Sequence, residues 1–187
     1  MAQEMRGGKM AKFVAFLRGI NVGGHRKIPM ADLRRICIGL LSDPNVRSYI
    51  ASGNLLFTAD GPPARHAQVI RDGIAAAFGF DVRVLVLPEA EIRAVLDGCP
   101  FPRDAGNKVH AFLCFDIPQL DYAGVDALKA GTEAVTVVDR TVWLHAPDGM
   151  GRSKLAEKLD RLIGVEVTAR NLNTMQKMVA MLDEARG

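Results

Sequence analysis

Four polar stretches of the chain hold the residue types that could do chemistry. The first, Arg18-Gly19-Ile20-Asn21-Val22-Gly23-Gly24-His25, follows an apolar run and leads into Arg26 and Lys27. Glycines let backbone N–H groups converge on an anion, and arginine, lysine and histidine add charged donors. The second is Ser52-Gly53-Asn54. The third, Gly149-Met150-Gly151-Arg152-Ser153-Lys154, opens an apolar-periodic segment, and the fourth is Arg170-Asn171-Leu172-Asn173-Thr174. The candidate ligand-binding set is therefore Arg18, Gly19, Asn21, Gly23, Gly24, His25, Ser52, Asn54, Arg152, Ser153, Lys154, Arg170 and Asn171. The chemistry it points to is capture of a phosphate or carboxylate. Each stretch also has a purely architectural reading. The first-loop glycines could serve positive φ, and Ser52-Gly53-Asn54 could be a hairpin turn. Ser153 and Asn171 (or Thr174) could cap helices.

No reaction is legible in these residues. Gly19–Gly24 spells G-x-x-x-G-G, not the dinucleotide fingerprint, and Gly149–Lys154 is not a Walker A loop. The four histidines, His25, His66, His110 and His145, lack metal-ligand spacing. His110 and His145 sit in apolar strands and are expected to pack as neutral rings, and His66 is expected on a helix surface. Only His25 stands in a candidate site, as the one proton shuttle on offer. There is no nucleophile elbow and no paired carboxylate. Cys37 falls on the core side of its helix, where a thiol is inert. No metal and no cofactor is expected, and whether the protein is an enzyme is left open.

Charge is unevenly spread. Residues 1–47 carry nine Lys/Arg against three Asp/Glu, whereas the formal net charge of the chain is only +3. A basic N-terminal quarter suits an anionic partner, nucleic acid or a small phosphorylated ligand, although it could equally be a solvated surface. Three widely separated cysteines argue against a disulfide framework and for a reduced, cytoplasmic protein. The polar start lacks a signal-peptide core, and no run approaches the roughly 20 apolar residues of a membrane span. Residues 1–11 are expected to be disordered or to precede an alternative start at Met10. Oligomeric state is not legible.

The elements that must position these stretches follow from periodicity. Lys12–Arg18 reads as a strand. Residues 29–41 read as a helix with Pro29 in its first turn and Met30, Leu33, Ile36, Cys37, Leu40 and Leu41 on one face. Val46–Ala51 and Asn54–Ala59 read as paired strands, and a helix through Ile70, Ile74, Ala77 and Phe78 ends at Gly79. Asp81–Leu87 is a strand. A short helix over Glu89–Leu96 bridges to a second series: strand Lys108–Phe115, a helix near 121–130, strands Glu133–Asp139 and Thr141–Ala146, a helix through Leu155, Leu159, Leu162 and Ile163, strand Val165–Thr168 and a last helix. Both series run βαββαβ, and they rhyme. "ADG" at 59–61 matches "PDG" at 147–149, and "GFDV" at 79–82 matches "GVEV" at 164–167. The prediction is an α+β fold of two tandem ferredoxin-like halves with antiparallel sheets. The first half is expected over residues 12–87, the bridging helix and linker over 88–107, and the second half with a C-terminal helix over 108–187. Apolar residues on both faces of the first and fifth strands predict that the second sheet face is covered as well.

The segments "LRGINVGG" (Leu17–Gly24), "SGNLLF" (Ser52–Phe57), "GRSK" (Gly151–Lys154) and "ARNLNT" (Ala169–Thr174) resemble the domain-of-unknown-function 1697 family of bacterial proteins, in order and spacing, from about Lys12 to Leu182. The resemblance implies an α+β fold of two related halves and carries over no catalytic residue. Three functions compete: a binding module for a phosphate-bearing or other anionic ligand, with nucleic acid foremost; a small-molecule enzyme or sensor with a cleft between the halves; and a structural or protein-interaction domain.

Overall fold

The computed structural model describes residues 9–185. The element order is β1 (Ala11–Leu17), α1 (Met30–Leu41), β2 (Arg47–Tyr49), β3 (Asn54–Ala59), α2 (Pro63–Phe78), β4 (Val84–Pro88), α3 (Glu89–Asp97), β5 (Val109–Cys114), α4 (Tyr122–Leu128), β6 (Ala134–Val138), β7 (Thr141–His145), α5 (Lys154–Leu162), β8 (Val167–Asn171) and α6 (Leu172–Glu184). Short 3₁₀ turns precede β5 and α5. Two four-stranded antiparallel sheets result, ordered β2-β3-β1-β4 and β6-β7-β5-β8. The same topology is thus written twice, and the fold is the predicted pair of ferredoxin-like βαββαβ units. The chain divides into two compact units, one running to Ala90 and taking in Glu184, the other Glu91–Asp183. The reading of residues 1–11 falls almost wholly on residues outside those described, and Ala11 already belongs to β1.

In the first unit α1 and α2 cover one face of the sheet. Leu33, Cys37 and Leu41 of α1, at four-residue spacing, meet Ile70 and Ile74 of α2 over Phe13, Ala15, Leu17, Leu55 and Phe57. Leu40, placed on this face by periodicity, is instead exposed. Pro29 is the residue before the helix rather than its first turn, with φ −62° and ψ 130°. Gly79 ends α2 at φ +78°, its N–H bonded to the Ala75 carbonyl, as a left-handed cap requires. On the opposite face Val14, Phe16 and Leu56 are buried too, as the two-faced apolar pattern predicts.

The second unit repeats the plan. Phe112, Cys114, Val142 and Leu144 pack under Val125 of α4 and Leu155, Leu159 and Ile163 of α5. The rhyming glycines fall in matching places. Gly61 and Gly149, each following the third strand of its unit, have φ +105° and +94°. Gly79 and Gly164, each following the second helix, have φ +78° and +74°. The repeated letters therefore mark repeated backbone turns. The largest departure is at β8, which begins at Val167 and continues through Arg170 and Asn171 with α6 starting at Leu172. Arg170 is a strand residue, not part of a helix-opening loop. His66 is also corrected: it is 5% exposed, packed against the rings of Phe13 and Phe57 at centroid distances of 4.8 and 5.6 Å.

Candidate functional site

β1 ends where the Leu17 N–H donates to the Gly53 carbonyl at 2.8 Å, and the Arg18 N–H donates to the Arg83 carbonyl at 2.9 Å. Beyond this clamp the chain leaves the sheet as a closed finger, Asn21–Ile28. Asn21 closes its neck. Its Oδ1 accepts from the Ile28 N–H at 2.9 Å, and its Nδ2 donates to the carbonyls of Ile28 (3.0 Å) and Ala51 (2.8 Å). Within the finger the Asn21 N–H donates to the Arg26 carbonyl and the His25 N–H to the Val22 carbonyl. Asn21 has φ +55°, a conformation asparagine adopts more readily than other non-glycine residues. Val22, Gly23, Gly24, His25, Arg26 and Lys27 are all exposed. His25, Arg26 and Lys27 make no ion pair among the described residues.

Ser52, Gly53 and Asn54 meet the base of this finger. Gly53 has φ +80°, and a Cβ there would lie 2.7 Å from Leu17 Cβ and 2.8 Å from Ile20 Cδ1. Only glycine fits the crossing. Asn54 is fully buried, and its Nδ2 donates to the Tyr49 carbonyl at 2.9 Å and to Ser52 Oγ at 3.1 Å. The first two candidate stretches therefore do converge. Asn21 ties the two together through the Ala51 carbonyl, Asn54 braces the turn from Tyr49, and the finger leaves Val22, His25, Arg26 and Lys27 facing water.

In the second unit Ser153 and Asn171 are helix caps. Ser153 Oγ accepts from the Ala156 N–H and Asn171 Oδ1 from the Thr174 N–H, each at 2.8 Å. Arg170 is buried, its Nη1 donating to Thr168 Oγ1 and the Ala169 carbonyl, and burial pulls its pKa down to about 10. Arg152 and Lys154 are exposed. Arg152 borders a cleft of about 770 Å³ formed by Asn107, Lys108, His110 and the segment from Pro147 through Gly151. Neither Lys108 nor Arg152 makes an ion pair among the described residues. His110 stands on β5 opposite Leu144 and Asn171. Its Nδ1 is buried with no hydrogen-bond partner, and burial pulls its pKa down to about 4, so the ring is neutral. Asn107, Lys108 and His110 were missed from sequence. The signal was present as a cation and an imidazole two residues apart at a strand start, but its meeting with residues 147–152 is long-range.

The two buried thiols are quiet. Burial pushes Cys37 up to about 12 and Cys114 up to about 11, far from thiolate reactivity. Among the described residues no three His, Cys, Asp or Glu side chains gather as metal ligands. No described helix is long and apolar enough to cross a membrane.

Two βαββαβ units in tandem, one with a stapled basic finger and one with a cation-edged cleft, define an α+β protein of duplicated ferredoxin-like topology. A family model described as "Protein of unknown function (DUF1697)" matches residues 10–143, and the chain belongs to that family. The match takes in the finger and the Ser52–Phe57 segment; Gly151–Lys154 and Ala169–Thr174 lie beyond it. Among solved structures, the conserved bacterial protein SP0830 from Streptococcus pneumoniae is similar. It has a TM-score of 0.71 and 25% sequence identity, with 93% of this chain and 99% of that chain covered. No curated protein matches the chain.

Proposed function

We propose that this protein is a binding module for a phosphate-bearing ligand, held in the cleft of the second unit. The observation that carries the reading is the pair Lys108 and Arg152 beside the glycine-rich Gly149–Gly151 backbone on one cleft of about 770 Å³. Lysine supplies a point charge and arginine a planar fork suited to phosphate oxygens. Glycines let an anion approach the main chain closely. The size is that of a small-molecule site, such as a nucleotide would need. His110 contributes a neutral ring and no charge.

The second reading, nucleic acid, is favoured by one specific observation, the finger with His25, Arg26 and Lys27 exposed on a braced neck. Base stacking on the first sheet would need open aromatics, and Phe16 on its central strand is buried. Nucleic acid would therefore meet loops through phosphate contacts.

One titration separates the two. Pyrophosphate and AMP are titrated by calorimetry, and a labelled duplex oligonucleotide by fluorescence anisotropy, each across a range of salt. Native protein is compared with Lys108→Ala, Arg152→Ala and Lys27→Ala. The first reading expects AMP binding that falls about tenfold or more in the two cleft variants and is unchanged in Lys27→Ala. Six phosphate contacts on a duplex would give a log–log salt slope near −5, and loss in Lys27→Ala would move the assignment to the finger. Silence of all three ligands at low salt rejects anion binding.

A further inference from the structure

β6 is an edge strand without the features that close the other three edges. A short length, a charged side chain, a proline or a covering element is what keeps an exposed edge from pairing with another chain. β2 has three residues and begins with Arg47, which is ion-paired to Glu184 at 2.6 Å. β4 ends in Pro88, which has no N–H to offer, and runs straight into α3. β8 carries Arg170 and runs straight into α6. β6, by contrast, is Ala134-Val135-Thr136-Val137-Val138, five residues without charge or proline, all half-buried. The duplication supplies the comparison. β2 and β6 hold the same place in their sheets, and only β2 is blunted.

The direction of the free main-chain groups follows from β7. The Arg140 carbonyl accepts from the Cys114 N–H, and the Ala146 N–H donates to the Lys108 carbonyl, both on the β5 side. Successive strand residues turn their N–H and C=O to opposite sides, so Thr141, Trp143 and His145 turn theirs to β6. Their partners there are Val138, Thr136 and Ala134. The N–H and C=O of Val135 and Val137 therefore point outward, and no strand lies beyond them among the described residues. The strand is also complementary to itself. Two copies set antiparallel about a two-fold axis at Thr136 place Val135 of each opposite Val137 of the other, where the outward groups exchange hydrogen bonds. Thr136 then faces Thr136, and Ala134 faces Val138. Pairs of this kind stabilise a sheet, and no charge within the strand opposes another. Glu133, just before the strand, comes opposite Asp139, but its carboxylate is turned back onto the Ala130 N–H at 2.9 Å and the residue is 8% exposed.

We infer that β6 is a self-association edge, pairing antiparallel with β6 of a second copy of this chain so that two β6-β7-β5-β8 sheets become one continuous sheet. The contact is isologous, so it closes as a dimer and does not propagate. Val135 and Val137, which already pack against the core of the second unit, gain apolar neighbours from the other copy on the helix-covered face. The inference does not rest on anion binding in the cleft.

The test is sedimentation velocity on the full chain over a range of concentrations. A single strand pair is a small interface, so the native protein is expected to be mostly monomer at about 1 μM and mostly dimer at about 1 mM. Thr136 meets its own copy, so Thr136→Lys and Thr136→Glu should each weaken the dimer about tenfold, through like charges directly opposed. An equimolar mixture of the two variants should associate again, because opposite charges then face each other across the axis. On the native chain alone, hydrogen exchange of the Val135 and Val137 amides should slow as concentration rises, more than that of the β7-bonded Ala134, Thr136 and Val138. A native chain still monomeric at about 1 mM overturns the proposal and leaves the edge to an extended peptide of another protein. A dimer that both variants leave intact, or one that forms without slowing the two valine amides, also overturns it. The amide measurement decides the matter even if neither variant folds.

Discussion

Asn21 separates a brace from a ligand contact, and its replacement can be worked out in parts. Asn21→Ala removes three hydrogen bonds, with Ile28 N–H, Ile28 O and Ala51 O. Each is at least partly exposed, so about 0.5–1 kcal/mol apiece is the appropriate net worth. Alanine must also hold φ +55°, at a cost of roughly 1 kcal/mol. The first unit should therefore lose about 3 kcal/mol in Asn21→Ala. Asn21→Gly loses the same bonds without the backbone strain, and should lose about 2 kcal/mol. Native-state hydrogen exchange of the β1 amides reads the opening of this unit directly. The expected acceleration is about a hundredfold for alanine and about thirtyfold for glycine, with the Ile28 amide the most affected. An alanine variant accelerated less than threefold would refute the brace. A glycine variant as fast as alanine would refute the strain.

Other consequences follow from the same geometry. Gly53→Ala should cost about 3 kcal/mol, combining positive-φ strain with a Cβ forced onto Leu17 and Ile20; a urea midpoint unchanged from native protein would contradict this. His110 titrates near 4 folded against 6.5 unfolded, so the stability due to its neutral burial is complete above pH 6.5 and is lost as pH falls toward 4. Denaturation curves at stepped pH should show about 1.4 kcal/mol lost per pH unit there, and His110→Phe should be flatter by that slope. At pH 8 a thiol reagent should label Cys99 in native protein, while Cys37, with about 10⁻⁴ of its population as thiolate, reacts only as the unit opens. Mass spectrometry of labelled peptides orders the three.

The topology was legible because its signals are local. Helical spacing at Leu33, Cys37 and Leu41, and glycine stops at Gly79 and Gly164, need no distant partner to be read. The roles of polar residues were less legible. A ligand-binding asparagine and a bracing asparagine have the same letter, and only the proximity of Ala51, thirty residues away, assigns Asn21 to the brace. Arg170 looked like a loop cation because arginine usually seeks water; Thr168 and the sheet partner Ala111 hold it in a buried strand. His66 looked like a helix surface residue for the same reason. Its burial depends on two phenylalanines from β1 and β3. The cleft at Lys108 was invisible because residues 107–110 and 147–152 meet only through β5–β7 pairing.

The sheet order has a consequence for synthesis. β1 is a central strand, yet its partners, β3 and β4, are made much later: Ala11 pairs with Ala59, and Phe13 with Pro88. At about 5–20 residues per second, β1 waits roughly 4–14 s after leaving the ribosome's active centre before β4 has been made. Through that interval the Phe13–Leu17 backbone, destined for hydrogen bonds on both sides, has neither neighbour in place. β5 repeats the delay, since its flanking strands β7 and β8 also come after it. Each unit is thus held open from its middle outward until its last strand is translated, so these nascent strands are where a chaperone has most to protect.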